Sequence, residues 1–448
     1  MRFTVRGRRT STRMVAALAG CVLGAGLVVA CGPTAQQGDG GDAAEGRERV
    51  TVAKAPAQLP VPSGKGSRTA DDFNGDGHRD LVLNDLVKRD SHGDDAGIGV
   101  VYGSGSGRGL APGARQLLSP AKHAAATKGQ LPAVFDAEAS CDLDQDGFTD
   151  LVVSTDPPFD GQGQPPVPLQ ILFGSSQGLV GKAVKLVIPG QARAGNDWPD
   201  HPVCGDFDGD KAEDLVVHAS DGQLSHLRGP FTRKGSPKAA GAALASPGNV
   251  PTPPAVDVDR DGYDDLLVRT TDGPAASTAA LVLGGPAGPT GTPVALPSGL
   301  DVAFGRFGKG ADLDVAVGSM TGTALRYDVP GGPRGELAVP GTVLDAGDFD
   351  GDGVSELVSS GSELRVFRGR TAGLSASGMV TVPPPAPGAT RVLTVADFDG
   401  DERADLVVRT YRGDTKDTIA VYTGKKRGLI AREPALTFST SGFLGMAD

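Results

Sequence analysis

The sequence predicts an all-β protein, a seven-bladed β-propeller of four-stranded antiparallel blades, closed by pairing of the C-terminal strand with the first blade. Three observations lead there. An acidic stretch, Asp-x-Asp/Asn-x-Asp-x-x-x-Asp/Glu followed by an aliphatic residue, begins at Asp72, Asp142, Asp206, Asp257, Asp348 and Asp397, with an eroded seventh copy at Arg306. Recurrence every roughly 40–70 residues marks a propeller or a solenoid. The acidic stretches run into continuous apolar runs such as Leu81-Val82-Leu83, Leu151-Val152-Val153 and Leu406-Val407-Val408, as strands covered on both faces do. No long segment repeats its apolar residues every 3.6 positions, whereas 67 Gly and 34 Pro punctuate the chain between short Val/Leu runs.

Three segments follow in order: 1–30, 31–66 and 67–448. The first carries five Arg and no acid, then an apolar run from Met14 to Ala30, which reads as an export signal too short for a comfortable membrane span. Leu27-Val28-Val29-Ala30-Cys31 resembles a bacterial lipobox, which makes Cys31 the expected lipidation site. Leu18-Ala19-Gly20-Cys21 fits the same pattern but leaves a shorter apolar core upstream, so Cys31 is preferred. Residues 31–66 are rich in Gly, Ala, Pro and Gln and are expected to form a disordered tether. Together these imply export and anchoring on the extracellular face of the cell membrane.

The last repeat serves as the template for the propeller. Residues 391–396 are a strand, Asp397–Asp405 the acidic loop, Leu406–Val408 a second strand, Ile419–Tyr422 a third and Leu436–Phe438 a fourth. That is the content of one blade. The first loop is preceded by Gly66–Asp71, nearly free of large apolar residues, while the chain ends on Phe443-Leu-Gly-Met-Ala-Asp448. The C-terminal segment is therefore expected to supply the inner strand that the first blade lacks, closing the ring and removing exposed sheet edges.

Within each acidic loop, side chains at positions 1, 3, 5 and 9 and the carbonyl of position 7 are placed to converge on one cation. The sets are Asp72, Asn74, Asp76, His78 and Asp80; Asp142, Asp144, Asp146, Phe148 and Asp150; Asp206, Asp208, Asp210, Ala212 and Asp214. In the second half they are Asp257, Asp259, Asp261, Tyr263 and Asp265; Asp348, Asp350, Asp352, Val354 and Glu356; Asp397, Asp399, Asp401, Arg403 and Asp405. Hard oxygen ligands in this number suit Ca²⁺, at up to six sites. An EF-hand is excluded because position 12 lacks Glu and the loop enters a strand. Gly77, Gly147, Gly262 and Gly353 stand at position 6, where a turn calls for positive φ. Lys211 and Glu402 replace it in two loops, which are expected to bind more weakly or to be more strained. The copy at Arg306 has lost its acids at positions 1, 3 and 5 but keeps Phe307 and Val315, so it is expected to keep the strands and bind no cation.

The segments Asp72-Phe-Asn-Gly-Asp-Gly77, Asp206-Phe-Asp-Gly-Asp210, Asp348-Phe-Asp-Gly-Asp-Gly353 and Asp397-Phe-Asp-Gly-Asp401, with their downstream Gly-Leu turns, resemble the FG-GAP/VCBS repeats of the integrin α N-terminal propeller superfamily. The resemblance covers about residues 68–448. It implies calcium loops on one face of a seven-bladed ring and ligands engaged by loops elsewhere. The leg domains and inserted adhesion domain of eukaryotic members are missing here, so an adhesive role does not transfer automatically. The Ala/Gly/Pro-rich composition and the lipobox resemble those of lipoproteins from high-GC Gram-positive bacteria.

The formal net charge of −11 resides largely in the loops, and no basic stripe with interleaved aromatics exists, so nucleic acid is not an expected partner. No zinc-protease helix motif, nucleophile elbow or dinucleotide fingerprint occurs. His78, His92, His123, His201, His218 and His226 form no pair at metal spacing. The expected function is calcium-stabilised binding, without catalysis, of an extracellular protein or glycan by a monomer. The alternative is a polysaccharide hydrolase or lyase built on the same ring, and a purely structural envelope role is the third. Arg412-Gly413-Asp414 is weighed as a chance tripeptide, and Trp198 as loop packing before sugar stacking. Inserts at 84–97, 111–138 and 155–168 are expected to be long loops that carry specificity. Whether Cys141 and Cys204 form a disulfide is left open by the sequence.

Overall fold

The computed structural model describes residues 57–87, 95–105, 107, 109–195, 197–272, 275–308, 310–412 and 417–446. The predicted signal segment, Cys31, most of the tether and Gly413-Asp414 lie outside them. Seven antiparallel blade sheets follow one another along the chain, pairing their strands in sequence order except at the outer edge of blade 3, and a two-stranded sheet of Gly424–Lys425 and Leu429–Ile430 stands beside blade 7. Blade 1 is built from Leu81–Val87, Asp95–Ser104 and Gly109–Leu118. Blade 2 runs Phe135–Cys141, Asp150–Thr155, Leu169–Leu172 and Val184–Lys185. Blade 3 runs Val203–Gly205, Asp214–Ser220 and Gln223–Arg228, with Ala239–Ala240 and Leu244–Ala245 both paired to its third strand. Blade 4 runs Val250–Val256, Asp265–Arg269, Ser277–Val282 and Val294–Gly299. Blade 5 runs Asp301–Gly305, Asp314–Gly318, Thr323–Arg326 and Arg334–Leu337. Blade 6 runs Val343–Gly347, Glu356–Ser360, Leu364–Phe367 and Val380–Val382. Blade 7 runs Ala389–Ala396, Asp405–Tyr411, Thr418–Tyr422 and Leu436–Ser439, matching the template read from the sequence.

The continuous apolar runs are explained by where they sit. Leu151, Val152 and Val153 are fully buried, as are Leu406, Val407 and Val408, because each second strand has a blade on either side. Seven apolar clusters result, one at each blade interface, and the one containing Leu81, Leu83, Phe398, Val407 and Ile419 joins blade 7 to blade 1 and closes the ring. Burial of a Leu or Val side chain at such an interface contributes roughly 1.5–3 kcal/mol. A truncation such as Leu406→Ala is expected to cost about 2–5 kcal/mol.

The ring closes at the predicted place by a different device. Among the described residues blade 1 has three strands and pairs with no C-terminal strand. Of its inner strand only the end position is marked, by Asp71, whose carbonyl accepts the Asp80 amide at 2.8 Å. Residues Thr440–Met446 form a 3₁₀ helix instead, in which Phe443 is buried in the blade 7–blade 1 cluster and the Gly442 carbonyl accepts from Arg115 Nε at 3.0 Å. Arg409 of blade 7 reaches across the seam and donates to the carbonyls of Asn84 (2.7 Å) and Asp85 (3.1 Å), while its Nε pairs with Asp417 at 2.8 Å. The cause lies in composition. Gly66–Asp71 offers no apolar side chains to the core, so a turn carrying one Phe and a buried guanidinium takes over that part of the interface.

Two further expectations are revised and one open question is answered. The tether expected over 31–66 ends earlier. Leu59 bridges Ala114 on the outer strand of blade 1, Gly64 donates to Asn74 O at 3.0 Å, and Val61 packs on the blade 1–blade 2 core. The inserts at 84–97 and 111–138 are loops only in part, since blade 1's strands extend to Val87, from Asp95 and to Leu118, and blade 2 begins at Phe135. Cys141 and Cys204 are bonded, with their Cα atoms 6.3 Å apart, inside the range a disulfide spans. Among the described residues no helix is long and apolar enough to cross a membrane.

Candidate metal loops

Outside blade 1, each acidic loop joins the inner strand of its blade to the second strand, and in all six the backbone is bent by two left-handed residues. Position 4 has positive φ at Gly75, Gln145, Gly209, Arg260, Gly351 and Gly400, and position 6 at Gly77, Gly147, Lys211, Gly262, Gly353 and Glu402. The strain expected at Lys211 and Glu402 is present, with φ of 68° and 64°. Position 4 was not anticipated. At Gly75 and Gly209 a Cβ would also strike the ring of Phe148 or Tyr263 of the next blade, 2.5 and 2.6 Å away. Gly meets both demands there.

This bend wraps backbone amides around the first carboxylate. Oδ2 of Asp72, Asp142, Asp206, Asp257, Asp348 and Asp397 accepts the amide of position 6 at 2.7–3.0 Å in every loop. Oδ1 of the same residue accepts the amide of position 5 at 3.1–3.2 Å in all but the loop at Asp206. The amides of His78, Phe148, Ala212, Tyr263, Val354 and Arg403 donate to Oδ1 of position 5 at 2.9–3.2 Å, which fixes the peptide planes at position 7.

Position 9 has a second task that the sequence did not announce. Asp80, Asp150, Asp265, Asp314, Glu356 and Asp405 each accept the amide of position 2 at 2.7–3.0 Å. These six and Asp214 also accept an amide at or just past the end of the third strand, at 2.8–3.3 Å. In blade 3 the imidazole of His226, 2.7 Å from Asp214 Oδ2, stands where the other blades use the position-2 amide. The ninth carboxylate thus ties three strands together with or without an ion.

The acids converge. Oxygens of Asp142, Asp144 and Asp146 lie within 4.8 Å of one another, as do those of Asp206, Asp208 and Asp210. The same holds for Asp257, Asp259 and Asp265, for Asp348, Asp350 and Glu356, and for Asp397, Asp399 and Asp405. Positions 1 and 3 are therefore shared by all five groups, joined by position 5 in blades 2 and 3 and by position 9 in blades 4, 6 and 7. The loop at Asp72 has the neutral Asn74 at position 3, whose Nδ2 donates to Asp76 Oδ2 at 3.1 Å.

A cation fits these loops on one specific observation. The third-position oxygen Oδ1 of Asn74, Asp144, Asp259, Asp350 and Asp399 is buried and has no hydrogen-bond partner, and in blade 3 the orphan is Asp206 Oδ1. Asn74 is fully buried and Asp350 is 7% exposed. An unpaired buried oxygen costs roughly 1–3 kcal/mol, more when charged, so repetition of the same orphan around the ring points to a missing electropositive partner. Burial pushes Asp150 and Glu356 up to about 8, and Asp265 and Asp405 up to about 7, with neighbouring carboxylates adding to the effect. Asp144 is raised to about 6 by burial and then by Asp146.

At the copy beginning at Arg306 the strands are kept, as expected. Phe307 and Val315 are buried, Asp314 holds its amides, and the acids needed at positions 1, 3 and 5 are missing. Elsewhere the sole Trp packs edge-on against Phe159, ring centroids 5.6 Å apart. Its neighbour His218 places Nδ1 3.2 Å from Asp200 Oδ1.

Residues 348–408, blade 6 and the start of blade 7, match the family model for the FG-GAP-like repeat. This segment is an FG-GAP-like repeat. The ring of seven blades around it agrees with an integrin α N-terminal-like propeller. A search of curated proteins finds no match. Among solved structures the chain is similar to BBS1N in complex with ARL6DN, in a crystal soaked with mercury, at 16% identity and a TM-score of 0.46, covering 84% of this chain and 96% of that one. The lead-soaked crystal of the same complex gives 15% identity, a TM-score of 0.43 and the same coverage. The WD40 β-propeller domain of Doa1 gives 12% identity and a TM-score of 0.28, covering 79% of this chain and 94% of that one. At these TM-scores the likenesses add nothing to what the strand topology establishes.

Proposed function

We propose that this protein is a calcium-stabilised propeller that binds a protein or glycan outside the cell, held at the membrane by a lipid on Cys31, without catalysis. The observation that carries the calcium reading is the recurring buried, unpartnered oxygen at position 3, set beside the carboxylate of position 1. Calcium accepts six to eight oxygens in flexible geometry, and carboxylate, amide and carbonyl oxygens are what these loops supply. When bound, the ion contributes charge neutralisation. The protein's own part is to pre-arrange the oxygens with the amides of positions 5, 6 and 7.

Rigid loops at every blade junction suit a scaffold that presents binding surfaces. The amide of the loop's eighth residue also reaches the preceding blade: Thr149 N donates to Asp72 O at 3.0 Å, Asp264 N to Asp206 O at 2.9 Å and Ala404 N to Asp348 O at 2.8 Å. Ordering one loop therefore orders the next interface. The test is calcium uptake by the chelator-stripped protein, followed by a glycan and surface-protein binding array with and without calcium. No uptake overturns the calcium reading, and a blank array overturns the binding role in favour of a structural one.

One observation favours the second reading, a polysaccharide hydrolase or lyase. Glu138, on the inner strand of blade 2, is pushed up to about 8 by burial and then by Asp136, Asp200 and Asp272, which suits a general acid. Turnover of a polysaccharide that disappears in Glu138→Gln would establish it.

A further inference from the structure

The acidic loops differ in what stands over the third carboxylate. In blade 6, Arg368 Nη1 lies 2.6 Å from Asp350 Oδ2, and in blade 3, Arg228 Nε lies 3.4 Å from Asp208 Oδ2. Both arginines occupy one structural position, immediately before the glycine whose amide bonds the ninth carboxylate. Blade 2 has Phe173 at that position, and an arginine arrives from elsewhere. Arg233 of blade 3 lies over the Phe173 ring, 5.0 Å from its centroid, with Nε 2.7 Å from Asp144 Oδ2 and its other end on Asp146. Blade 4 has Leu283 at that position, and among the described residues none of Asp257, Asp259, Asp261 and Asp265 pairs with a basic side chain.

Two effects oppose one another. A guanidinium on the outer oxygen orients the carboxylate and leaves the inner one, Oδ1 in Asp144 and Asp350, for an ion. It also adds a positive charge beside a divalent cation. The oxygens of Asp257, Asp259 and Asp265 converge within 4.8 Å without any arginine, so orientation does not require one. A unit charge about 6 Å from Ca²⁺ in a water-like dielectric opposes binding by roughly tenfold. Charge therefore outweighs orientation.

We propose that Arg228, Arg233 and Arg368 set calcium affinity by weakening the loops of blades 3, 2 and 6, so that the arginine-free loop of blade 4 fills ahead of them. This ranking rests on the calcium reading above. The test is a calorimetric calcium titration of the stripped full-length chain at low ionic strength. Arg368→Met keeps the apolar stem and removes the charge. It is expected to tighten one site roughly tenfold, a site identified by its loss in Asp350→Asn, with the gain shrinking as salt rises. Arg233→Met, at a half-exposed side chain, is expected to do the same for blade 2 through Asp144, and Leu283→Arg to weaken blade 4. Calcium uptake with unchanged or weaker binding in Arg368→Met and Arg233→Met overturns the ranking and leaves the calcium reading standing. No uptake by the parent protein overturns both.

Discussion

Blades 5 and 6 are neighbours with the same strands and opposite loops. In blade 6, Asp348, Asp350 and Glu356 converge, and in blade 5 the first and third positions are Arg306 and Gly308. Yet Asp314 of blade 5 accepts from the amides of Phe307 and Asp328 at 2.7 and 2.8 Å, the bonds that Glu356 makes to Phe349 and Gly369 in blade 6. The difference separates two jobs that one acidic motif appears to merge. Position 9 holds the blade together in both, and positions 1 and 3, which only blade 6 keeps as acids, join it in a group that could hold a cation.

The largest test of that separation is chelation. Each filled site adds about 2.7 kcal/mol when free calcium is a hundredfold above its Kd. Stripping several sites is expected to lower Tm by on the order of 10 °C. Hydrogen exchange should show lost amide protection at Asp348–Glu356 and little change at Arg306–Asp314. Equal losses in both blades would break the comparison.

Next in size is Asp314→Ala. It leaves buried amides unpaired in a blade without a metal loop, and is expected to cost about 3 kcal/mol in urea unfolding, with or without calcium. Glu356→Ala in chelator should cost a similar amount. A neutral Asp314→Ala would mean that the ninth carboxylate matters only as a ligand.

The pH dependence is smaller and has a definite sign. Glu356 sits at about 8 and Asp150 at about 8, raised by burial above their unfolded values. The chelated fold therefore favours their protonated forms, and its stability is expected to fall as pH rises from about 4 towards 8. Calcium requires the ionised forms, so the loaded protein should lack most of this decline. Paired melting curves between pH 5 and pH 8 should diverge, and parallel curves would count against the assignment. The smallest effect belongs to strain. Lys211→Gly and Glu402→Gly, at φ of 68° and 64°, are expected to stabilise the chelated protein by up to about 1 kcal/mol.

Much of this was readable in advance, for reasons particular residues supply. The strands were legible because second strands such as Leu406–Val408 are apolar without interruption, which only a doubly covered strand tolerates. The loops were legible because the motif spaces its acids by two. The double role of position 9 left a signal in the sequence: Asp314 survives in the copy that lost its acids at positions 1, 3 and 5. The left-handed turn at position 4 was hidden because Gln145 and Arg260 occupy it as well as glycines. The arginines over the third carboxylate were invisible, since Arg233 belongs to a different blade from Asp144 and only the folded ring brings them together. The closing strand failed because the sequence showed what blade 1 lacks without showing that Phe443 and Arg409 supply the contact by other means.

That seam distinguishes this ring from one stitched shut by a shared sheet. Arg409 grips the two carbonyls of blade 1 through a flexible side chain, and Phe443 fills its slot through a turn. Both contacts are buried, so the seam is sealed by one guanidinium and one aromatic ring where a shared sheet would use a backbone ladder.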